Sequence, residues 1–372
     1  MHNVLLLLYT LEAAGAEKVV LSLVDRLDRR RYRPIVCGFR GGSLRAEFER
    51  YGIPVYVLDK RRGLDLGVAW RLVRLMKEHD IRIVHSHNFS ANLWGRLAAI
   101  VAGVPVRIAT EHSMPWIKSR IERGLDQSLA PLTTKIVSVS EAVRDAHLRE
   151  ERIRPDRMAV IYNGIERWAG SDQETAAFGY ALRTELGIAT DAPLCLTVGR
   201  LEPPKGHATL FEAIPRILAS VPRARFVMAG DGSLRGELEA SARLLGIEHA
   251  VTFLGARNDV RRLCAVADVA INPAHREGFS IAMLEAMSAG LPIVATDVGG
   301  NAEAVISGES GIIVPPKDAD ALASGAIRVL ADRELASMFG SRARQRFEER
   351  FTIERMMQSI EALYALADRA VA

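Results

Sequence analysis

The chain is 372 residues long, 49% hydrophobic and 25% charged, with a formal net charge of +4. That length exceeds what one core usually holds, so two domains are expected, and the balance of apolar and charged residues excludes a disordered chain. No apolar run reaches the roughly 20 residues of a membrane-spanning helix. The cysteines Cys37, Cys195 and Cys264 lie far apart in apolar surroundings, as in a reduced cytoplasmic protein without a cysteine metal site.

From the start, short apolar runs alternate with longer amphipathic ones. Residues 4–9, 34–39, 54–58, 82–85, 106–110 and 135–139 read as strands, and 16–27, 44–50, 67–79, 91–101, 117–129 and 141–148 as helices. The run at 4–8 is too short for the core of a signal peptide and has no basic leader, so it reads as a first buried strand. Regular alternation implies crossover connections and a parallel sheet covered on both faces, with ligands gathering beyond the carboxyl ends of the strands. Three of those ends stand out. Ala14-Gly15-Ala16-Glu17 places a glycine ahead of a helix after the first strand. His85-Ser86-His87-Asn88 ends the fourth strand, with His85 expected inside it. Glu111-His112-Ser113 ends the fifth and leads into a loop, Met114-Pro115-Trp116-Ile117. Two histidines without further matched ligands do not make a zinc site.

Two basic clusters, Arg29, Arg30, Arg31 and Arg33, then Lys60, Arg61 and Arg62, suit either a solvated surface or contact with anionic lipid head groups. A single aromatic residue, Tyr32, stands among them and no nucleic-acid module is evident, so nucleic acid is not an expected partner. Asn163-Gly164-Ile165 closes the first series. Residues 166–190 are polar and poorly periodic, and read as a linker.

A second series follows, with strands at 194–198, 225–229, 251–255, 268–272 and 292–296. The first of these runs into Gly199-Arg200-Leu201-Glu202-Pro203-Pro204-Lys205-Gly206. Two cations five apart in such a loop can converge on one diphosphate, Arg200 through its planar fork and Lys205 as a compact charge. It is not a Walker loop, because no Gly-Lys-Ser/Thr follows at the required spacing. Gly230-Asp231-Gly232 and Ala256-Arg257-Asn258 follow the next two strands. Ser280 is a strong N-cap, Gly290 suits the left-handed position past a helix end and Pro292 follows, which predicts a helix over 281–289. The backbone N–H groups of Gly278, Phe279, Ser280 and Ile281 then lie unpaired at its positive end, where an anion can bind. Glu277 before that helix and Glu285 one turn inside it can bracket a ligand and accept hydrogen bonds from hydroxyls. The chain finishes with a charged helical run at 342–349, a break at 351–352 and an amphipathic helix over 353–367.

Glu277 and Glu285, with Gly-Phe after the first and Glu-Ala-Met-Ser-Ala-Gly closing the stretch, resemble the signature of glycosyltransferase family 4. The resemblance is strong over 194–315 and looser before residue 165. It implies the α/β GT-B fold, two Rossmann-like parallel-sheet domains facing a central cleft. Residues 1–165 would form the acceptor-side domain, completed by a C-terminal helix at 352–372 that crosses back. Residues 191–351 would bind the nucleotide sugar. The implied activity is a retaining, metal-independent transfer of a hexose-type sugar from a nucleoside diphosphate sugar, UDP favoured over GDP, to an acceptor hydroxyl. Front-face displacement, in which the departing phosphate takes the acceptor's proton, is expected ahead of double displacement through a carboxylate.

The family's functional residues carry over one by one. Arg200 and Lys205 match its diphosphate-binding pair, Glu277 would hold the sugar's hydroxyls and Glu285 the ribose. Gly15 would approach the diphosphate, although Ala14 stands where the family typically has the first of two glycines. Gly230 and the backbone near Arg257 would border the nucleotide, beside Gly278, Phe279, Ser280 and Ile281. His112 would lie close to the transferred sugar, His87 would face the cleft near the acceptor, and Trp116 sits in a loop suited to acceptor contact. No cofactor or metal is expected. A saccharide or lipid-linked acceptor and a role in cell-surface polysaccharide or glycolipid assembly are the family expectation, and the basic clusters suggest the inner face of the membrane. Two alternatives are a nucleotide-sugar epimerase of the same fold and a dinucleotide-binding oxidoreductase, the latter lacking a first-strand Gly-x-Gly-x-x-Gly loop.

Overall fold

A computed structural model describes residues 1–61, 63–115 and 118–369. The chain divides into two compact units, Met1–Gly164 together with the closing segment from Ile353, and Ile165–Thr352. Among the described residues each unit is built on one parallel sheet.

In the first unit the strands are β1 (His2–Thr10), β2 (Tyr32–Arg40), β3 (Val55–Val57), β4 (Ile81–His87), β5 (Val106–Glu111), β6 (Lys135–Ser138) and β7 (Met158–Val160). Their order is β3-β2-β1-β4-β5-β6-β7. β1 is apolar without alternation because both its faces are covered, and Val4 through Leu8 are fully buried. Helices Leu66–Glu78 and Phe89–Ala102 cover one face with Val68, Leu72, Met76, Trp94 and Ala98. The order reverses between β1 and β4, which makes their carboxyl ends the place where a ligand-sized crevice is expected.

Helix Ile353–Tyr364 belongs to this unit and buries Ile353, Met356, Met357, Ile360 and Tyr364. Burial is worth about 1.5–3 kcal/mol for each large apolar side chain. Polar contacts add register: Tyr364 stands edge-on to Tyr32 with centroids 5.5 Å apart, its hydroxyl is 2.8 Å from His85 Nδ1, and Asp368 lies 2.6 Å from His2 Nε2.

The second unit contains β8 (Leu194–Val198), β9 (Arg225–Ala229), β10 (Val251–Gly255), β11 (Val269–Asn272), β12 (Ile293–Thr296) and β13 (Ile312–Val314), in the order β10-β9-β8-β11-β12-β13. Its reversal falls between β8 and β11, so the loops leaving those two strands share one edge of the sheet. Residues 166–190 are not simply a linker, because they contain the helix Asp172–Glu185, started by a capping box between Ser171 and Glu174. Only Gly179 and Leu182 of that helix are buried, which is why its apolar periodicity is weak. No helix among the described residues is long and apolar enough to cross a membrane.

Candidate functional site

In the second unit the loop after β8 is fastened to the loop after β11. The Pro204 carbonyl accepts from the backbone N–H groups of His275 (2.8 Å) and Arg276 (3.1 Å), and His275 Nε2 lies 2.8 Å from Thr209 Oγ1. Gly206 lies between them at φ +67°, and a Cβ there would sit 2.0 Å from the Pro273 carbonyl oxygen, so only glycine allows the loops to approach this closely. The result is a contact between residues far apart in sequence: Lys205 Nζ is 2.5 Å from Glu277 Oε2. The two side chains are 25% and 14% exposed, so the pair is partly shielded while the ammonium keeps two further N–H donors.

The other oxygen of Glu277 accepts from the N–H of Gly278 at 3.2 Å. This corrects the expectation that the N–H groups of residues 278–281 all lie unpaired. A carboxylate next to a helix start is drawn to the same positive end that would attract an anionic ligand. The helix itself is Ile281–Ala289, as its end signals predict. Ser280 Oγ accepts from Met283 N–H (3.4 Å) and from Asn272 Nδ2 (3.2 Å), and Gly290 is left-handed at φ +72°. The ring of Phe279 is buried against Phe351, with centroids 5.3 Å apart, so this side chain packs the core.

Gly299 backs the acidic loop. Its φ is +54° and a Cβ would lie 2.0 Å from the Glu277 carbonyl oxygen, while the next N–H, from Gly300, donates to Gly278 O at 2.9 Å. Arg200 is exposed and its guanidinium makes no hydrogen bond or ion pair with a described residue. Its loop is fixed from behind, where Glu202 accepts from Ser233 N–H (3.0 Å) and Oγ–H (2.8 Å), and Leu201 N–H donates to Asp231 O (2.9 Å). Gly230 N–H donates to Gly255 O at 2.8 Å, tying the turns after β9 and β10.

The Arg257 fork is paired with Asp259, at 2.8 and 2.6 Å, so what this position can offer a nucleotide is its backbone, as the sequence reading has it. A carboxylate two residues away outcompetes a distant partner. Glu285 is half-buried, and its charge adds to burial in pushing the Cys264 thiol well up. Among the described residues no group of three or more His, Cys, Asp or Glu is arranged to hold a metal ion.

In the first unit three imidazoles stack at the ends of β4 and β5. His85 and His87 share a face of β4, with centroids 4.3 Å apart, and His87 Nδ1 lies 3.0 Å from His112 Nε2. Burial pushes all three below their ordinary value, His85 to about 3, His112 to about 4 and His87 well below, the last helped by the neighbouring rings. All three are neutral at pH 7. His85 is buried as expected, but His87 does not face outward: it is 1% exposed, behind the half-buried His112. β4 lies inside the sheet and its covered face extends to its last residue. Gly15 is exposed at the start of helix Gly15–Arg26, where Ala14 supplies no side-chain cap. Trp116 and Arg62 lie outside the described residues.

A buried charge network beside His112 was not read from the sequence. Lys118 Nζ meets Glu111 Oε2 (3.2 Å), Asp126 Oδ2 (2.6 Å) and Glu151 Oε1 (3.1 Å); Arg96 also pairs with Asp126, and Asn92 Nδ2 donates to Glu111 Oε1 (2.9 Å). His147 donates to Glu151 Oε2 (2.7 Å) and to Ser113 O (3.2 Å). Burial opposes its charge, but the hydrogen bond to Glu151 and the nearby Glu111 carboxylate outweigh it and raise its pKa above the ordinary value. Glu111 and Ser113 flank His112, so the network anchors both sides of that residue. Its signal was present in Asn92 and Arg96, four apart in a helix whose only other polar side chain is Ser90 in its first turn.

Two families match this chain. The one described as Glycosyl transferases group 1 matches residues 181–346, and the one described as Glycosyltransferase Family 4 matches residues 13–167. A D-inositol 3-phosphate glycosyltransferase from Geodermatophilus obscurus is 33% identical over 314 residues, covering 78% of this chain and 67% of that protein. The chain belongs to the family 4-type glycosyltransferases. Another relative of this glycosyltransferase is the Escherichia coli UDP-Gal:alpha-D-GlcNAc-diphosphoundecaprenol alpha-1,3-galactosyltransferase, 27% identical over 81% of this chain and 79% of that protein. Its fold is GT-B, with two parallel-sheet domains. The crystal structure of Anabaena HepE in complex with UDP superimposes with a TM-score of 0.86 at 24% identity, covering 98% of this chain and 100% of that one. The glycosyltransferase WaaG, involved in lipopolysaccharide biosynthesis, gives 0.77 at 18% identity over 97% and 99%. These likenesses favour neither an epimerase nor an oxidoreductase.

Proposed function

We propose that this glycosyltransferase moves a hexose-type sugar from a nucleoside diphosphate donor, UDP-linked in preference to GDP-linked, to an acceptor hydroxyl, with retention at the anomeric carbon and without a divalent metal. The observation that carries the reading is the meeting of Lys205 and Glu277 beside the start of helix Ile281–Ala289, at the reversal of the second sheet. As the bond from the anomeric carbon to the phosphate oxygen breaks, negative charge builds on the departing diphosphate. Lys205, Arg200 and the helix start are fixed positive groups that bind this charge more tightly as it grows, the role a metal plays elsewhere. The acceptor oxygen bonds to the anomeric carbon on the face the phosphate leaves, and its proton passes to that phosphate. Glu277, oriented by Lys205 and Gly278, accepts hydrogen bonds from sugar hydroxyls, Glu285 takes the ribose, and His112 meets the transferred sugar.

The relatives support the choice of donor and acceptor. The E. coli protein is named for UDP-galactose and a diphosphoundecaprenol-linked acceptor, and HepE was crystallised with UDP. Exposed Leu64, Leu66 and Trp70, 82%, 67% and 70% accessible, support work at an anionic membrane surface on the cytoplasmic side. Leu66 and Trp70 lie one turn apart on helix Leu66–Glu78, close in sequence to Lys60 and Arg61, the mix of apolar and basic groups that suits a bilayer interface.

Thermal shifts across UDP-, GDP- and ADP-sugars, followed by transfer with and without chelator and NMR of the product anomer, test the reading. It expects selective stabilisation by a UDP-sugar, turnover that survives chelator and an α-linked product from an α-linked donor. Inversion, or strict dependence on magnesium or manganese, overturns it. Sedimentation with phosphatidylglycerol vesicles, expected for the wild type and weakened in Trp70→Ser, tests the membrane contact.

A further inference from the structure

His87 is sealed from solvent, yet it ends a strand at the topological switch point of the first sheet and touches the ring of His112. Two neutral imidazoles 3.0 Å apart share one hydrogen, so the proton position on one ring dictates the tautomer of the other. His87 Nε2 is buried and has no partner among the described residues, and the ring lines a small cavity walled by Val19, Leu23, Val137, Val139 and Ile161. A buried N–H with nothing to donate to is a rarer defect than an unused acceptor. The proton of His87 therefore belongs on Nδ1, donated to His112 Nε2, and the proton of His112 belongs on its own Nδ1.

The backbone around His87 is built to hold it there. Asn88, the next residue, lies at φ +66°, ψ +158°, a region otherwise left to glycine. Its N–H donates to Thr110 O (3.0 Å) and its carbonyl accepts from Asn92 N–H (2.8 Å), which keeps the strained link in place. Below His87, the His85 ring is locked at both nitrogens, by Tyr364 Oη (2.8 Å) and Thr110 Oγ1 (2.7 Å).

We infer that His87 is a positioning residue that fixes His112 as its Nδ1–H tautomer, so that His112 offers a hydrogen-bond donor, and no basic nitrogen, to an oxygen of the transferred sugar. The inference rests on the proposal that His112 meets the sugar. It separates His112 from proton abstraction, because its only lone pair is turned inward to His87. It also assigns the ligand atom: an oxygen able to accept.

Long-range ¹H–¹⁵N correlation spectra of the full chain with ¹⁵N-labelled histidine, at pH 7.5, read the tautomers directly, with assignments from the His87 and His112 variants. His112 is expected as Nδ1–H in the wild type. His87→Asn, whose amide can donate from the place of Nδ1, keeps that tautomer and stays within about threefold of wild-type kcat. His87→Leu, which cannot donate, gives mixed tautomers and loses about tenfold in kcat, with UDP binding unchanged by calorimetry. Turnover is followed with UDP-glucose or UDP-galactose, whichever the wild type consumes. Wild-type His112 as Nε2–H overturns the inference, as does equal kcat in His87→Leu and wild type. Should the leucine variant fail to fold, the wild-type and His87→Asn spectra decide. If neither sugar nucleotide binds, the proposed function fails while the tautomer result stands or falls separately.

Discussion

Replacing Lys205 by alanine is the sharpest perturbation of the donor site. In the folded protein it removes a partly shielded ion pair 2.5 Å long and leaves Glu277 with the Gly278 N–H at 3.2 Å. Pairs at this degree of exposure contribute about 1 kcal/mol or less, so melting should shift by only a few degrees. Catalysis should lose far more. A full unit charge developing about 4 Å from an ammonium, at the effective dielectric of a partly exposed site, interacts by about 4 kcal/mol, and half that charge by about 2. Those values correspond to roughly 30- to 1000-fold in turnover. Initial rates at saturating donor, with circular dichroism melts of the same preparations, read both numbers. Lys205→Arg should recover part of the loss, because its planar fork brings the charge back in a different geometry. Arg223→Ala, which breaks the exposed pair with Asp191, should leave turnover unchanged. Turnover within twofold of wild type in Lys205→Ala would refute the assignment of this cation to the departing diphosphate.

Gly299→Ala should cut transfer at least tenfold and destabilise by about 1–3 kcal/mol, since the new Cβ meets the Glu277 carbonyl at 2.0 Å from a backbone at φ +54°; a fully active variant with an unchanged melt would refute the clamp. Lys118→Met should cost about 3–5 kcal/mol, because it leaves Glu111, Asp126 and Glu151 buried with less positive charge among them, and denaturant midpoints measure it. Stability should peak near neutral pH. His85 and His112, held near 3 and 4 in the folded chain against an ordinary 6.5, contribute fully above pH 6.5, and that contribution fades as pH falls toward their folded values. His147 has the opposite sign: with its pKa raised, its contribution is complete below pH 6.5 and is lost as pH rises through its folded value, so His147→Gln should flatten the alkaline limb of a urea-midpoint profile.

Where the forces are local, the sequence was legible. Strands 194–198, 225–229 and 251–255 and helix 281–289 have the bounds read from their apolar runs, from Ser280 and from Gly290, because caps and turn residues act within a few positions of themselves. Legibility failed where a distant or competing partner decides. His87 reads as a strand-end residue facing outward, yet the cavity beside it is also lined by Met356 and Ile360, from a helix near the far end of the chain. The N–H of Gly278 reads as open until the adjacent carboxylate turns back on it. Helix Asp172–Glu185 hides within a polar stretch because so little of it is buried, although its Ser-x-x-Glu start was in view.

The same contrast explains why a family signature and a working site are different kinds of information. Lys205 and Glu277 are 72 residues apart, and no periodicity connects them. What joins them is topology: β8 and β11 are neighbours at the reversal of the sheet, so the loops leaving them must share an edge, and Pro204 and Gly206 close the remaining distance. A chain could keep both charged residues and still lose their contact by placing any side chain at residue 206, because a Cβ there would strike the Pro273 carbonyl. The chemistry is written in the charged side chains, but whether they act together is decided by the glycine and proline that let two loops touch.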